Sequence, residues 1–238
     1  DRIYCANSES QSVTVIDGAA DSVIETVAVG NRPAALCYNP IDNKIYCANS
    51  RESTLTVIDG STSRVLATVV VGQGPDVLLH YARKNKVYCA NAGTKWRFGS
   101  TVTVVDGSTD KVIAHLSVGE TPSALCSDSL SNKVFCASRM SRRISVIDGT
   151  TDKVVTTTTG DLSPSALCLN SRNGNVYCAQ GAYDQSGVAV LSEYLSTGVI
   201  KLYLEPIRRA ACRDGRHPAW LEQWHIAHEL YHGLAEIG

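Results

Sequence analysis

Residues 44–49, Lys-Ile-Tyr-Cys-Ala-Asn, decide the fold because this hexapeptide returns along the chain at a nearly fixed interval. Close copies stand at residues 2–7, 86–91, 133–138 and 175–180, and the fourth copy along the chain carries phenylalanine in place of tyrosine. The cysteines of the five copies, at positions 5, 47, 89, 136 and 178, are 42, 42, 47 and 42 residues apart. A repeat of this length predicts a supersecondary unit that stacks on copies of itself.

Each copy continues into alternating Val, Thr and Ile residues that end in Asp-Gly, as in residues 55–60. Alternation with a period of two predicts a strand, and Asp-Gly predicts a tight hairpin turn after it. A second β-rich run and a proline follow, and four residues beyond the proline stands Cys37, Leu79, Cys126 or Cys168. Four strands in a repeat of this length are typical of one blade of a β-propeller.

The spacing from the aspartate of Asp-Gly to the cysteine after the proline is always 20 residues. The same spacing places residues 188–192 in a third-strand position and Cys212 in a first-strand position. We therefore predict an all-β, five-bladed propeller over residues 1–212, closed by pairing the segment near Cys212 with the N-terminal strand around Cys5. An open β-solenoid or a fragment of a larger propeller is the alternative.

Tyr-Cys-Ala-Asn, Thr-Val-Ile-Asp-Gly and Asn39-Pro40-x-x-Asn43-Lys44 resemble the YVTN family of β-propeller repeats, in which valine usually takes the cysteine position. The resemblance covers residues 1–212. It implies a secreted or surface-located bacterial or archaeal propeller that acts as a binding or surface-layer module, often with more than five blades. It implies no catalytic residue. We therefore expect an extracellular or cell-surface location, and an N-terminus at Asp1 is compatible with a removed leader.

The charge balance bears on the partners of the chain. It has 238 residues, with 22 Lys and Arg against 23 Asp and Glu, and a formal net charge of −1. This balance excludes a phosphate-backbone binder, which needs a basic face. No apolar stretch approaches the roughly 20 residues of a membrane-spanning helix. The expected partner is a protein or a surface glycan, or a second copy that exchanges the strand near Cys212.

The nine cysteines fall in two repeated positions of the blade. We predict cross-strand disulfides if the hairpin register places the two positions opposite each other. The pairs are Cys37 with Cys47, Cys126 with Cys136, Cys168 with Cys178, and Cys5 with Cys212. The alternative is that each cysteine is a small buried apolar residue, which Cys89 favours because leucine stands at its partner position. Disulfides would indicate an oxidising compartment or the cytosol of a hyperthermophile.

The loop between the second and third strands is five residues longer in the third repeat, at residues 92–100. Loops held by a rigid scaffold commonly carry binding residues. The candidate recognition surface consists of Lys95, Trp96, Arg97 and Phe98, with Tyr183 in the later insertion. The alternative is that Trp96 and Phe98 only cover a blade edge.

Residues 213–238 form a second segment with four of the six histidines and apolar residues at helical spacing. This pattern predicts a short amphipathic C-terminal helix. Within it, His228-Glu229-Leu230-Tyr231-His232 is an HExxH sequence that resembles the active-site helix of zincin metallopeptidases. In such a helix His228 and His232 would bind zinc, and Glu229 would act as general base.

A catalytic zinc site needs a third protein ligand, and the sequence given ends six residues after His232. An upstream residue such as His225, His217 or Glu205, or a further extension, would have to supply it. We therefore predict a helix that docks its Trp/Leu face on the ring or on a neighbouring molecule, without a cofactor. The alternatives are a non-catalytic metal site and a zinc metallopeptidase with the propeller as accessory domain.

Overall fold

The computed structural model describes residues 1–160, 163–182, 185–193 and 200–205, with side chains described as far as residue 181 and at residues 187–191. The predicted closing segment near Cys212, the boundary at residue 212 and the C-terminal helix lie outside the described residues. In the described part of the chain, no helix is long and apolar enough to cross a membrane.

The described strands form five sheets, which we call blades 1 to 5, and within each sheet consecutive strands pair antiparallel. Blade 1 contains β1 (Arg2–Asn7), β2 (Ser12–Asp17) and β3 (Ser22–Ala28). Blade 2 contains β4 (Pro33–Asn39), β5 (Lys44–Asn49), β6 (Thr54–Asp59) and β7 (Val65–Val70). Blade 3 contains β8 (Pro75–Tyr81), a 3₁₀ turn (Ala82–Lys84), β9 (Lys86–Thr94), β10 (Arg97–Asp106) and β11 (Val112–Ser117).

Blade 4 contains β12 (Pro122–Asp128), β13 (Lys133–Ser138), β14 (Arg143–Asp148) and β15 (Lys153–Thr159), and blade 5 contains β16 (Pro164–Asn170), β17 (Asn175–Ala182), β18 (Gln185–Glu193) and β19 (Ile200–Glu205). The first strands β4, β8, β12 and β16 contact one another in succession, so they form the inner edge of the blade array. The predicted all-β architecture is confirmed, and the five antiparallel sheets correspond to the five predicted repeats.

Successive blades pack through opposite faces of the repeated hexapeptide. Residues on one strand alternate between the two faces of a sheet, so tyrosine and cysteine project to opposite sides. Tyr46 of blade 2 packs in one core with Val87 and Cys89 of blade 3. Tyr88 of blade 3 packs with Cys136 of blade 4 in the same way. We call the two sides of each blade its tyrosine face and its cysteine face.

A polar latch accompanies this packing at the edge of the core between blades 3 and 4. Lys86 Nζ donates to Asp152 Oδ2 at 2.7 Å and to the Gly149 carbonyl oxygen at 3.0 Å, and Tyr88 Oη donates to Asp152 Oδ1 at 2.8 Å. The latch therefore joins the second strand of blade 3 to the Asp-Gly turn of blade 4. Burial and the hydrogen bond to Asp152 raise the pKa of Tyr88.

Blades 1 and 2 carry equivalent latches to the blades that follow them. Lys44 Nζ donates to Asp110 Oδ2 at 2.9 Å, and Tyr46 Oη donates to Asp110 Oδ1 at 2.6 Å, both on blade 3. The latch from blade 1 to blade 2 has uncharged acceptors. Arg2 donates to Ser63 Oγ at 3.0 Å, and Tyr4 donates to the Gly60 carbonyl oxygen at 3.1 Å.

The Asp-Gly sequences form tight turns as predicted, but the glycine does not adopt the left-handed backbone conformation. The Asp59 carboxylate accepts hydrogen bonds from the backbone N–H groups of Ser61 and Thr62, which lowers its pKa. The left-handed backbone conformation falls on Ser63, with φ of 56°, rather than on Gly60. Glycine is required at position 60 because a Cβ there would collide with Asn43.

The register of the first hairpin in each blade separates the predicted disulfide partners. Cys37 lies opposite Tyr46, and Cys47 lies opposite Leu36. The same one-residue offset recurs in blades 4 and 5, where Cys136 and Cys178 lie opposite Leu125 and Leu167. An offset of one residue puts side chains on opposite faces of a sheet.

The disulfide predictions Cys37–Cys47, Cys126–Cys136 and Cys168–Cys178 are therefore wrong, and these six cysteines are free. The second-strand cysteines at positions 47, 89, 136 and 178 are instead buried apolar residues of the blade cores. Cys212, the predicted partner of Cys5, lies outside the described residues.

Candidate recognition surface

The insertion in the third repeat extends β9 and β10 into a hairpin with Lys95 and Trp96 at its tip. Thr94 pairs with Arg97 across the hairpin, and the Thr94 Oγ1 atom accepts hydrogen bonds from the backbone N–H groups of Trp96 at 3.4 Å and Arg97 at 3.2 Å. This local hydrogen bonding fixes the turn in the manner of other Ser/Thr turns. The extra residues therefore lengthen two strands rather than form an open loop.

Three glycines hold the base of this hairpin against its neighbours. Gly93 has a φ of +85°, and a Cβ on Gly93 would collide with the backbone at Gly99. A Cβ on Gly74, in the connection between blades 2 and 3, would collide with the Gly93 carbonyl. Backbone hydrogen bonds join Gly93 N to Gln73 O at 3.0 Å and Thr121 N to Gly99 O at 2.8 Å. The hairpin is thus attached to the connections between blades on both of its sides, as expected for a loop on this end of the propeller.

The turn between β13 and β14 continues the same surface on blade 4. Arg139 N donates to the Thr121 carbonyl oxygen at 2.9 Å, and Met140 N donates to the Glu120 carbonyl oxygen at 3.2 Å. Thr121 therefore connects the base of the hairpin with this turn. Arg139 and Met140 are both exposed.

We define the recognition surface as the two exposed groups that these bonds connect. Its members are Lys95, Trp96, Arg97 and Phe98 of the hairpin and Arg139, Met140 and Arg143 of the neighbouring turn.

The recognition surface combines positive charge with large apolar groups. Trp96 is 89% exposed, and the Lys95 Nζ atom lies 5.4 Å from the centre of its ring. Four side chains of the surface are cationic, and Glu120 is the acidic residue next to it. Arginine and tryptophan are enriched among the residues that contribute most to protein interfaces. The arrangement can contact an anionic group and an apolar group of one ligand together.

The structure brings together Lys95, Trp96, Arg97 and Phe98, the four residues that the sequence placed in one insertion. The exposure of Trp96 contradicts the alternative that this residue covers a blade edge. Tyr183 lies outside the described residues. Sequence reasoning missed Met140, although an apolar residue between Arg139 and Arg142 in a predicted turn was a usable signal.

The predicted zinc ligands His228 and His232, with Glu229, also lie outside the described residues, so the HExxH hypothesis stays a prediction. In the described ranges, no group of three or more His, Cys, Asp and Glu side chains could hold a metal ion.

Four-stranded antiparallel blades that pack face to face around their first strands define a β-propeller. The family model described as YNCE-like beta-propeller matches residues 1–167, well over half of the chain, and the chain belongs to that family. This match confirms the predicted YVTN-type repeat. No curated protein matches the sequence.

Two solved structures share the fold. Hydrazine synthase of Kuenenia stuttgartiensis aligns with a TM-score of 0.73 at 16% identity, over 87% of this chain and 63% of that chain. A chain of a mitotic checkpoint complex aligns with a TM-score of 0.70 at 12% identity, over 87% of this chain and 64% of that chain. The chain thus spans less than two thirds of the length of both. At these identities the likeness concerns the fold alone.

Proposed function

We propose that the chain is a non-enzymatic, extracytoplasmic binding module whose recognition surface docks an acidic segment of a partner protein. The observation that carries the proposal is Trp96, which is almost fully exposed at the tip of a hairpin whose base is fixed by close glycine contacts. A rigid hairpin loses little conformational entropy when it binds, so an exposed aromatic side chain there can act as an anchor.

The chemistry of the surface favours an acidic polypeptide over a sulfated glycan. Lys95, Arg97 and Arg139 would pair with carboxylates of the partner, while Trp96, Phe98 and Met140 need apolar side chains beside those carboxylates. A sulfated glycan offers negative charge without such groups. The extracytoplasmic location rests on the resemblance to secreted and surface-located repeats.

Binding to defined probes tests this proposal. The probes are an acidic peptide with interspersed Leu and Phe residues, a neutral peptide of the same length, and heparin. We expect the acidic peptide to bind best, and Trp96→Ala to weaken its affinity by at least about tenfold, the usual size of an anchor effect. Higher salt is expected to weaken binding further because it screens surface charges.

The matched control is Leu130→Ala. Leu130 is 83% exposed and lies in a turn at the other end of the propeller, so its truncation is expected to leave binding unchanged. Equal affinity of the wild type and the Trp96→Ala variant would overturn the proposal. Tighter binding of heparin than of the acidic peptide would overturn the choice of a polypeptide partner.

A further inference from the structure

A groove opens between blade 1 and the outer strands of blade 2, apart from the recognition surface on blades 3 and 4. One wall is residues 28–30, at the end of β3 and in the connection after it, and the other wall belongs to β6 and β7. Thr56 lies opposite both Cys47 and Thr68, so these side chains share the cysteine face of blade 2, which is turned toward blade 1. The groove has a volume of about 250 Å³. Sites for drug-sized ligands have roughly 300–1,000 Å³, so this groove suits a smaller molecule.

Threonine hydroxyls line the groove, and a buried amide orients two of them. Asn49 is completely buried, and its Nδ2 atom donates to Thr54 Oγ1 at 3.0 Å and to Thr56 Oγ1 at 2.9 Å. A hydroxyl oxygen can accept two hydrogen bonds. Each of these two oxygens therefore keeps a position for another donor, and the exposed Thr68 adds a third hydroxyl to the wall.

A carboxylate stands at the end of the groove. Glu52 lies in the turn between β5 and β6, and its Oε2 atom rests against the connection at Gly30, where a Cβ would collide with it. No described residue forms an ion pair with Glu52, and neither lysine nor arginine is among the described residues that line the groove. The groove therefore carries a negative charge without a counter-charge in this part of the chain.

The equivalent positions between blades 2 and 3 lack this combination. His115 takes the position of Thr68, and its Nδ1 atom lies 3.2 Å from Thr103 Oγ1, which also accepts the backbone N–H of Gly72 at 3.2 Å. Gly99 takes the position of Glu52, so the carboxylate is missing. A larger side chain and hydrogen bonds within the protein thus occupy the space that stays open between blades 1 and 2.

The junction between blades 3 and 4 differs from the groove as well. Ser145 takes the position of Thr56, and its hydroxyl donates to the Val118 carbonyl oxygen at 2.8 Å. Ser141 takes the position of Glu52 and brings no charge. An open groove with a carboxylate is therefore a property of the junction between blades 1 and 2, not a general result of the repeat.

We infer that this groove binds a primary aliphatic ammonium group, which donates to the Glu52 carboxylate and to the threonine oxygens. An ammonium group has three donors and no acceptor, which matches one carboxylate and several hydroxyl oxygens. The alkyl chain of the ligand would lie along Val29 and Val65, the apolar side chains of the walls. This site is independent of the recognition surface.

Two other classes of cation fit the groove less well. Quaternary ammonium groups are recognised by aromatic side chains, and none lines the groove among the described residues. Calcium takes about six to eight oxygen ligands, usually with several carboxylates, and Glu52 is the one carboxylate among the described lining residues. A primary amine needs neither aromatic rings nor a full oxygen shell.

A primary aliphatic ammonium group has two sources, the side chain of a lysine in a polypeptide and a free amine. Titration of the full 238-residue chain with Nα-acetyl-lysine amide and with 1,5-diaminopentane distinguishes them. The amide resonances of Gly30 and Glu52 in ¹⁵N-labelled protein report on the groove. Tighter binding of the lysine amide would support a polypeptide source, and tighter binding of the diamine would support a free amine.

The chemistry of the ligand is tested with probes that lack one property each. We expect the better of the two amines to bind with a Kd of about 1–10 mM. We expect weaker binding of 1-pentanol, which has no charge, and of tetramethylammonium, which has no N–H donor. Failure of both amines to shift the resonances at about 50 mM would overturn the inference, because this exceeds the expected Kd severalfold. Tighter binding of glucose than of either amine would also overturn it.

Glu52→Gln removes the charge and is expected to weaken amine binding at least about fivefold, since a hydrogen bond to a charged group is lost. Thr68→Leu keeps the carboxylate but fills the groove, so it is also expected to weaken binding. Glu9→Gln is the matched control, because Glu9 is an exposed carboxylate in the corresponding turn of blade 1. It is expected to bind amines like the wild type.

Equal amine affinity of the wild type and the Glu52→Gln variant would contradict the assigned site, and so would an equal loss in the Glu9→Gln variant. Trp96→Ala is expected to leave amine binding unchanged. A failure of this inference is therefore distinguishable from a failure of the recognition surface. Circular dichroism of each variant verifies that it is folded.

Discussion

The junction between blades 3 and 4 and the junction between blades 4 and 5 arise from the same repeat, yet their polar contacts differ. In the first, Lys86 and Tyr88 reach Asp152 on the next blade. In the second, Phe135 replaces the tyrosine, and Lys133 instead contacts Asp148 of its own blade at 3.2 Å. The sequence that follows carries Ser192-Glu193 where the other repeats have Asp-Gly.

The tyrosine of the donor and the Asp-Gly of the acceptor are thus both missing from the sequence at the second junction. A buried hydroxyl or ammonium group without a partner is costly, so losing both halves is less harmful than losing one. The apolar packing persists there, because Phe135, Ile144 and Val146 still form one core with Val176 and Cys178. Apolar contact is therefore common to both junctions, while the latch adds a charge-matched contact at the first.

The largest expected effect comes from removing one partner of the latch between blades 3 and 4. Asp152→Ala leaves the Tyr88 hydroxyl without its acceptor and the Lys86 ammonium with the Gly149 carbonyl but no counter-charge, and both groups lie in a largely buried site. We expect the free energy of unfolding to fall by about 3 kcal/mol, as for other buried pairs that lose one partner. Urea denaturation monitored by circular dichroism measures this change.

Asp21→Ala is the control for this prediction, because Asp21 occupies the same turn position on blade 1 and is exposed. Its effect is expected to stay within about 0.5 kcal/mol, as for other exposed surface residues. Equal losses in the two variants would show that the turn, rather than the latch, accounts for the effect.

Replacing a cysteine that is buried between two blades is expected to have an intermediate effect on stability, and an exposed cysteine provides the comparison. Cys136 is fully buried between blades 3 and 4, and burial raises the pKa of its thiol to about 12. Cys136→Ser is expected to destabilise the fold by about 2 kcal/mol, because the hydroxyl is more polar than the thiol it replaces. Cys5→Ser, on the exposed face of blade 1, is expected to have almost no effect.

Thiol labelling supplies an independent measurement of the same contrast. In the folded protein a thiol reagent is expected to react quickly with Cys5 and Cys168 and slowly with Cys136, since reaction needs an accessible thiolate. Fast labelling of Cys136 in the native state would contradict its place in the core between blades.

The smallest expected effect is the acid sensitivity of the turn at the end of β14. The backbone N–H of Thr151, assisted by Lys133, lowers the pKa of Asp148 from 3.8 to about 2. Because the folded pKa lies below the unfolded one, Asp148 contributes stability above pH 3.8 that is lost as the pH falls toward 2. Urea denaturation at several pH values should show a weaker acid dependence for Asp148→Asn than for the wild type, and identical profiles would contradict it.

The repeat predicted the fold because a fixed spacing of strands and turns specifies how the blades are built and stacked. The cysteine pairing failed for a reason that spacing does not reveal. The four residues 40–43 between β4 and β5 set the register, and it places Cys37 opposite Tyr46 rather than Cys47. A shift of one residue reverses the faces, and the sequence does not fix strand ends to that accuracy.

The hairpin at residues 94–98 was predictable from the extra length of one repeat. Its rigidity was not, because it depends on the close approach of Gly93 to Gly99 across the hairpin and to Gly74 in the connection between blades 2 and 3. The latch was missed for a similar reason. Turn formation alone explains why Asp-Gly recurs in the sequence. The repeat therefore gives no sign that Asp110 and Asp152 also accept hydrogen bonds from the preceding blade.

The polar latch has a consequence for how such a chain grows in evolution. Because blades 2 and 3 each carry a donor on one side and an acceptor on the other, tandem duplication of such a coding segment inserts a blade that already fits both neighbours. Array length can therefore change without any compensating substitution, as in other repeat proteins whose stability is a sum over nearest-neighbour interfaces. Loss of the pair Tyr and Asp at one junction, as at Phe135, marks a place where this interchangeability has ended.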